Sequence, residues 1–438
     1  MKEPAEGKTL YLKKGISFPV TDFTDFRIQM LNWANRFSIF CFLDNQQYNF
    51  SSPAFECLLA AGCKKNIQAP AGHAFESLRD FYGANRKEWL FGHFGYDLKN
   101  ETERLDSANF DGIRYSDLHF FIPEFVVRLT QTEVSIFCDK DAGEIFRDIR
   151  SYPLVISSSA HLSVSIQNRI EKEEYIIIIE KLREYILRGD CYEINFCQEF
   201  FSQNASLDPL VVYERLVGLS PNPFSVLYKM NALYCLCASP ERYLRKSGKK
   251  IISQPIKGTS KRNLANAVLD EANKQYLAQN DKERSENIMV VDLVRNDLSR
   301  VCIPGSVKVE ELFGLYSFPQ VHQMISTVSG ELEDDVNWVD CIRATFPMGS
   351  MTGAPKKRVM ELIDQYEKTR RGLFSGAIGY LDPNGDFDFN VVIRSVFYNA
   401  ETKYLSFQTG SAITYYSDPE KEYEECLLKA AAIKSILA

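Results

Sequence analysis

Two pairs of glutamates in the second half of the sequence have a spacing that suits metal ligands on helices. Glu283 and Glu286 lie three residues apart, and so do Glu422 and Glu425. On a helix, this spacing places both carboxylates of a pair on one face. Four carboxylates that converge from two helices suit a hard divalent cation, above all Mg²⁺. A solvated helix face has the same pattern, so the spacing alone leaves both interpretations open.

Lys257 is a second residue whose position suggests chemistry. It lies between Ile256 and Gly258 in the stretch PIKGT, at the end of an apolar run that predicts a buried strand. A buried lysine loses solvation energy unless its pKa falls or a partner compensates. The position therefore predicts either a side chain that extends to water or an amine held in a pocket.

Arg394 and His322 lie in apolar surroundings, where polar side chains need partners. Arg394 interrupts the stretch VVIRSVFY, and a buried guanidinium pairs with a carboxylate of the protein or of a substrate. His322, in FPQVHQMIS, is one of only five histidines. A single histidine in an apolar strand is either a hydrogen-bonded core residue or a catalyst. A structural role and a functional role stay open at both positions.

Two stretches rich in small residues predict turns that can bind anions. FPMGSMTGAPKKR contains Thr352, but its glycines are too closely spaced for a phosphate-binding loop and no Ser or Thr follows the first lysine. A glycine-rich entrance to a helix is the alternative. TGSAITYY contains Gly410, Ser411 and Ala412 and predicts a strand end whose backbone N–H groups can meet a carboxylate.

Length and composition predict a large globular protein without a dominant nucleic-acid surface. The 438 residues carry a formal net charge of −7, with 45% hydrophobic and 25% charged residues. Phosphate binding needs clustered cations, which this balance does not favour. Eleven cysteines without a CxxC pair indicate reduced thiols, and the N-terminus lacks an apolar signal core. We expect a cytoplasmic protein that does not span a membrane.

Periodicity and turn residues predict the elements that position these side chains. The expected helical segments are 172–188, 272–297 and a last helix that opens at Ser417, Asp418 and Pro419. The expected strands are 234–238, paired with 250–256 across Ser247–Gly248, and a meander of 372–381, 387–398 and 404–409. The segment that begins at Ser157 predicts a linker.

Nine segments from about residue 170 to 437 resemble the chorismate-utilising enzymes, both in their amino-acid sequence and in their order along the chain. They are GDCYEINFCQ, SPERYL, PIKGT, DKERSENIMVVDLVRNDLSRV, FPQVHQMISTVSGEL, FPMGSMTGAPKKR, RGLFSGAIGYLD, NVVIRS and SDPEKEYEECLLKA. The resemblance implies an α/β fold of the α+β type, a two-layer sandwich of large antiparallel sheets flanked by helices. It also implies an N-terminal region over residues 1–150 and a chorismate-binding catalytic region over 170–438.

The resemblance also assigns roles to the residues singled out above. Mg²⁺ would be held by Glu286 and Glu425, with Glu283 and Glu422 alongside, and would bind the ring carboxylate of chorismate. The residues implied to surround the substrate are Gly258, Thr259 and Lys429 at the ring carboxylate, Arg394 and Gly410 to Ala412 at the enolpyruvyl carboxylate, and His322 and Thr352 along the ring.

Lys257 is the residue that distinguishes branches of this family. Members that make anthranilate usually have PIAGT, whereas the lysine form resembles members that make 4-amino-4-deoxychorismate. In these members the resemblance implies that a neutral lysine attacks carbon-2 of chorismate and that ammonia then attacks carbon-4 and expels the lysine. A nucleophilic amine needs a lowered pKa, which we expect from burial and a nearby cation. Glu241, in SPERYL, would protonate the departing hydroxyl.

Three positions depart from the family pattern. At Glu193, amino-transferring relatives usually carry glutamine, while salicylate and isochorismate synthases carry a lysine that activates water, so hydroxylating functions are not expected. Phe374 stands where many members have a tyrosine that contacts the enolpyruvyl carboxylate, and Ala412 replaces a frequent glycine. These departures predict altered affinity more than altered chemistry.

Two other functions stay open beside the amination of chorismate for para-aminobenzoate and folate biosynthesis. One is the anthranilate-forming reaction, which also releases pyruvate. The other is a non-catalytic chorismate-binding regulatory subunit, which is disfavoured because all four candidate metal-ligating glutamates are present. No segment resembles a glutaminase, so we expect a separate glutamine amidotransferase subunit to supply ammonia.

Overall fold

The computed structural model describes residues 15–48, 55–156 and 164–437. The strands of the first part of the chain are β1 (Ile16–Pro19), β2 (Ile39–Asp44), β3 (Cys57–Ala61), β4 (Lys65–Ala69), β5 (Leu90–Phe94), β6 (Leu118–Ile122), β7 (Phe125–Leu129), β8 (Glu133–Cys138) and β9 (Gln167–Asn168). The later strands are β10 (Glu193–Ser202), β11 (Phe224–Met230), β12 (Leu233–Ser239), β13 (Arg242–Ser247), β14 (Lys250–Gln254), β15 (Ile256–Lys261), β16 (Lys308–Ser317), β17 (Val321–Glu331), β18 (Gly353–Ala354), β19 (Ala377–Leu381), β20 (Phe387–Asn390), β21 (Ser395–Asn399) and β22 (Tyr404–Ile413). The helices are α1 (Phe23–Ala34), α2 (Ala74–Ala84), α3 (Lys99–Glu103), α4 (Ala142–Arg150), α5 (Lys172–Leu187), α6 (Pro209–Leu219), α7 (Ala267–Gln279), α8 (Asp281–Ser299), α9 (Trp338–Thr345), α10 (Lys356–Tyr366) and α11 (Pro419–Ile436).

Within the described ranges these strands form two large antiparallel sheets. The first sheet has the order β1-β8-β7-β3-β2-β11-β12-β21-β22-β10-β18, and β9 also pairs with β10. The second has the order β15-β17-β14-β13-β20-β19-β5-β6-β4, and β16 also pairs with β17. Strands from before and after residue 150 occur in both sheets. The division into an N-terminal region and a catalytic region stays a prediction.

The hydrophobic core has three parts, because each sheet buries both of its faces. In β2, Phe40 and Phe42 pack in a cluster with α1, α5 and α11, whereas Cys41 packs in a cluster between the sheets. This alternation follows the two-residue period of a strand. A third cluster includes Val290 of α8 and Trp338 of α9 on the outer face of the second sheet. The expected sandwich of antiparallel sheets flanked by helices is confirmed.

Several predicted helix boundaries are confirmed. The helix expected over 172–188 is α5. The last helix begins at Pro419, and the Asp418 side chain accepts from the backbone N–H groups of Glu420 and Lys421, which satisfies donors that a helix start leaves free. The linker expected from Ser157 begins outside the described residues. Across the described ranges, no helix is long and apolar enough to span a membrane.

The helical segment expected over 272–297 is two helices. α7 ends at Gln279 and α8 begins at Asp281. Between them, the Asn280 side chain accepts from the backbone N–H of Glu283 at 3.1 Å. Asparagine competes for backbone hydrogen bonds in this way and favours helix starts, which periodicity alone does not reveal.

Two predicted strand pairings are wrong because the chain changes sheets inside apolar stretches. The turn at Ser247–Gly248 joins β13 to β14, whereas the expected partner, 234–238, is β12 of the first sheet. The expected meander is also divided: β19 and β20 pair in the second sheet, and β21 and β22 pair in the first. The chain crosses between the sheets over residues 391–394, where Arg394 has a φ of +51°.

Candidate active site

Lys257 of β15, in the second sheet, contacts β10 of the first sheet. Its Nζ donates to Glu193 Oε1 at 2.7 Å and to Asn195 Oδ1 at 3.3 Å. Lys257 is 9% exposed and Glu193 is 1% exposed. Glu193 and Asn195 lie two residues apart on a strand, so their side chains share one face. The ammonium is therefore buried between the two sheets and does not extend to water.

The pKa of Lys257 differs from the expected value. Burial is the largest single influence and lowers the pKa, but the carboxylates of Glu193, Glu286 and Glu241 together raise it above its ordinary value. The prediction of a lowered pKa is therefore wrong for the protein without a bound cation. Lys257 rests as an ammonium in a carboxylate-rich site, and it must lose a proton before it can act as a nucleophile.

A second buried ion pair fixes the strand that carries Glu193. Arg371 donates to Glu367 through Nε at 3.0 Å and through Nη2 at 2.6 Å. The same guanidinium donates to the backbone oxygen of Asn195 at 2.7 Å and to that of Met351 at 2.7 Å. It therefore holds β10 and the loop around Met351 in fixed positions beside Lys257.

Glu241 lies where the chain passes from β12 in the first sheet to β13 in the second. It is 4% exposed, and burial raises its pKa to about 7, although the Ser350 hydroxyl and the Lys257 ammonium oppose this increase. A carboxyl group with this pKa is partly protonated at neutral pH. Its position and protonation suit a general acid.

The Arg394 guanidinium lies close to Glu241 and to the hydroxyl of Tyr48. Burial lowers the pKa of Arg394, and Glu241 and Tyr48 partly offset that effect. No described residue forms an ion pair with Arg394, so its donors are available to a carboxylate. Phe374, which is 3% exposed, packs in the cluster between the sheets.

The two glutamate pairs lie on α8 and α11, and Lys282 lies near all four carboxylates. Burial lowers the pKa of Lys282, but Glu286, Glu422, Glu283 and Glu425 raise it overall. Burial also raises the pKa of Glu286 to about 7. Glu286 Oε1 is buried, has no hydrogen-bond partner among the described residues and lies 3.8 Å from Lys282 Nζ. Within the described part of the chain, no three acidic, His or Cys side chains are arranged to hold a metal ion.

Lys429 neutralises one member of the second glutamate pair. Its Nζ lies 2.7 Å from Glu425 Oε1 and donates to the backbone oxygen of Gly410 at 2.8 Å. Burial raises the pKa of Glu425, but Lys429, Lys282 and Lys257 together lower it below its ordinary value. Glu422 is 4% exposed. A cation at this site must therefore compete with the two neighbouring lysines.

The turn after Lys257 places backbone beside the first glutamate pair. Gly258 has a φ of +95°, and a Cβ at this position would lie 3.1 Å from Glu283 Oε2. This conformation and this close approach both favour glycine. The side chain of Thr259 is exposed. The structure thus brings Gly258 to the acidic site and leaves Thr259 at its edge.

Other predicted substrate contacts have partners within the protein. His322 Nδ1 lies 2.8 Å from Ser317 Oγ, and its Nε2 lies 3.2 Å from Asp270 Oδ1. Thr352 donates its hydroxyl to the backbone oxygen of Met348 at 3.1 Å. Both side chains are therefore oriented by hydrogen bonds before any substrate binds.

The small-residue stretch of β22 lies directly beside β10. Ala412 pairs with Asn195, Ser411 with Phe196 and Gly410 with Cys197. Because paired residues share a face of the sheet, Ala412 lies on the face that carries the Lys257 partners. Gly410 and Ala412 thus lie on the face that borders the Lys257 pocket, whereas Ser411, like its pair Phe196, lies on the opposite face.

Asn195 and Lys282 belong to this site but were not predicted from the sequence. Asn195 follows Glu193 by two residues, a spacing that places both side chains on one face if the segment is a strand, and this spacing was the available signal. Lys282 directly precedes Glu283, but nothing in the sequence shows that its side chain reaches four carboxylates.

Comparison with known proteins identifies the family of this chain. A family model described as chorismate binding enzyme matches residues 39–435. Aminodeoxychorismate synthase component 1 of Bacillus subtilis is 31% identical over 388 residues, which are 85% of this chain and 80% of that protein. The protein of the same name from Salmonella typhimurium is 36% identical over 344 residues, 78% of this chain and 75% of that protein.

A solved structure supports the same fold. The anthranilate synthase component I of Streptococcus pneumoniae matches with a TM-score of 0.77 at 24% identity and covers 89% of this chain and 94% of its own. At this identity the structural match concerns the fold alone, whereas the family model spans most of the chain. The chain belongs to the family of chorismate binding enzymes.

Proposed function

We propose that this chain is an aminodeoxychorismate synthase component 1, which converts chorismate and ammonia to 4-amino-4-deoxychorismate. The observation that carries the proposal is the buried Lys257 amine, held by Glu193 and Asn195 between the two sheets. Glu241, with a pKa of about 7, faces the same site. The names of the Bacillus and Salmonella relatives support the same activity.

In the proposed reaction, this chain supplies a nucleophile and an acid. The neutral amine of Lys257 bonds to carbon-2 of chorismate, and both conjugated ring double bonds shift so that the carbon-4 hydroxyl leaves. Glu241 donates a proton to that hydroxyl, which departs as water. Ammonia then bonds to carbon-4, and the lysine departs as an amine. The Arg394 guanidinium would bind the enolpyruvyl carboxylate and orient the ring.

Mg²⁺ is a further part of the proposal, and the donor chemistry of the site suits it. Glu283, Glu286, Glu422 and Glu425 supply the hard oxygen ligands that Mg²⁺ prefers. Glu286 Oε1 is buried and accepts no hydrogen bond from a described residue; Lys282 Nζ lies 3.8 Å from it, which supports a cation-binding role for that atom. When bound, the ion would hold the ring carboxylate and withdraw charge from the ring. The ammonium of Lys282 would have to move aside, because it lies near all four carboxylates.

Glu286→Gln is expected to weaken Mg²⁺ binding at least about tenfold, because an amide is neutral and a weaker ligand. Calorimetric titration of the protein with Mg²⁺ alone measures this effect without turnover. Glu180→Gln, on the exposed side of α5, is the matched control and should retain wild-type affinity. Identical titration curves for both variants would exclude Glu286 as a ligand.

We also propose that ammonia comes from a separate glutamine amidotransferase subunit in the cytoplasm. The word "component" in the names of the relatives supports a partner of this kind. The product would feed para-aminobenzoate and folate biosynthesis.

Product analysis tests the proposed function directly. The protein is incubated with chorismate, Mg²⁺ and ammonium, and the products are identified by mass spectrometry. We expect 4-amino-4-deoxychorismate without release of pyruvate. Anthranilate with pyruvate would overturn the proposal in favour of the anthranilate-forming reaction. A relative from Haloarcula marismortui that is 33% identical to this chain is named anthranilate synthase component 1 2.

A further inference from the structure

Glu193 has one oxygen bound to Lys257 and one oxygen free. Its Oε1 accepts from Lys257 Nζ at 2.7 Å. Its Oε2 is buried and has no hydrogen-bond partner among the described residues. A buried carboxylate oxygen without a donor is costly, so it needs an explanation. A carboxylate in this state can gain a proton without breaking an existing hydrogen bond.

We propose that Glu193 is the acid–base catalyst for Lys257, an inference that rests on the proposed function. Before attack, the Lys257 ammonium transfers one proton to Glu193, which leaves a neutral amine and a neutral carboxylic acid. The amine lone pair then forms the bond to carbon-2. When ammonia bonds to carbon-4 and the lysine departs, Glu193 returns the proton to the leaving amine. Glu193 is thus an anion again at the end of the cycle.

The neighbours of the pair favour this assignment. Asn195 Oδ1 lies 3.3 Å from the same Nζ, but an amide oxygen accepts a hydrogen bond without taking the proton. It can therefore keep the neutral amine oriented while Glu193 holds the proton. Glutamine has the same shape as glutamate and lacks this basicity, so Glu193→Gln isolates the property that the inference needs.

Other charged groups surround Lys257, and they must be separated from the effect of Glu193. Glu241 faces it from the crossing after β12, Glu283 and Glu286 face it from α8, and Glu425 faces it from α11. Lys282 lies beside the same carboxylates. A substitution at Glu193 leaves these residues in place, but loss of its charge lowers the pKa of Glu286, which Glu193 helps to raise to about 7. The slope of the comparison is therefore measured above about pH 8, where Glu286 is ionised in both proteins.

The test measures how fast the enzyme–substrate adduct forms across pH. Wild type and Glu193→Gln are mixed with chorismate and Mg²⁺ without ammonia, quenched at intervals and analysed by intact-protein mass spectrometry. In wild type the proton moves inside the pair, whereas the variant must release it to water. We expect the variant to be slower by about a hundredfold at neutral pH. The ratio of variant to wild-type rate should rise about tenfold per pH unit until the lysine titrates.

Two further variants separate this role from a structural one. Glu193→Asp keeps a carboxylate, so the ratio of its adduct-formation rate to the wild-type rate should be independent of pH. Glu199→Gln removes another buried carboxylate of β10, one that pairs with Arg169 at 2.8 Å, and its ratio should also be independent of pH. A pH-independent ratio for Glu193→Gln would overturn the inference.

The inference can fail while the proposed function holds, and the experiment distinguishes the two cases. Parallel reactions with ammonium report the product of each protein. Formation of 4-amino-4-deoxychorismate by wild type, with equal adduct rates in Glu193→Gln, overturns only the role of Glu193. If wild type forms neither adduct nor 4-amino-4-deoxychorismate, both proposals are wrong.

Discussion

Lys257→Ala is expected to reduce formation of 4-amino-4-deoxychorismate by ~10³-fold or more, because loss of a nucleophile leaves only binding and electrostatic effects. Steady-state product formation at saturating chorismate and ammonium measures the loss. The residual rate would report direct attack of ammonia on the ring, a route that does not need the lysine. Full activity would remove Lys257 from the mechanism.

Two controls show which property of Lys257 matters. Lys257→Arg keeps a cation beside Glu193 but not a nucleophilic amine, so it should be as inactive as the alanine variant. Lys261→Ala changes an exposed lysine of the same strand and should have wild-type activity. If Lys257→Arg were active, the role of Lys257 would be charge and not bond formation.

Glu241→Gln is expected to reduce turnover by about 10² to 10⁴, the usual contribution of a general acid. The wild-type group has a pKa of about 7 because it is buried. Since the protonated form is the active one, the wild-type rate should be highest below that pKa and fall as pH rises through it.

The pH–rate profile distinguishes this role from a packing role. The glutamine variant has no proton to lose at this position, so the part of the decline that Glu241 causes should disappear. If the turnover rate of Glu241→Gln fell with rising pH as the wild-type rate does, or if its turnover were unchanged, Glu241 would not be the acid.

Local chemistry in the sequence explains why several elements were predictable. The helix over 172–188 follows from apolar periodicity, and the start of α11 follows from Asp418 before Pro419. The apolar run around Lys257 predicted a buried strand, but it left open whether the amine extends to water or lies in a pocket. The family resemblance predicted the paired sheets, which periodicity alone does not specify.

Long-range features were not predictable, because they depend on how the two sheets pack. The bond from Lys257 to Glu193 joins residues 64 positions apart on different sheets. The apolar stretch around Val391 and Val392 predicts one continuous strand over 387–398. In the structure the chain crosses between the sheets there, and Arg394 has a positive φ. The raised pKa of Lys257 has the same origin, because its carboxylate neighbours come from β10, α8 and the crossing after β12.

One measurement addresses the covalent step most directly. Wild-type protein is incubated with chorismate and Mg²⁺ without ammonia, digested, and analysed by tandem mass spectrometry. We expect the peptide with Lys257 to gain the mass of chorismate minus one water. Fragmentation should place this mass on Lys257, and added ammonium should remove it. An unmodified Lys257 under conditions in which the protein turns over chorismate would contradict the account.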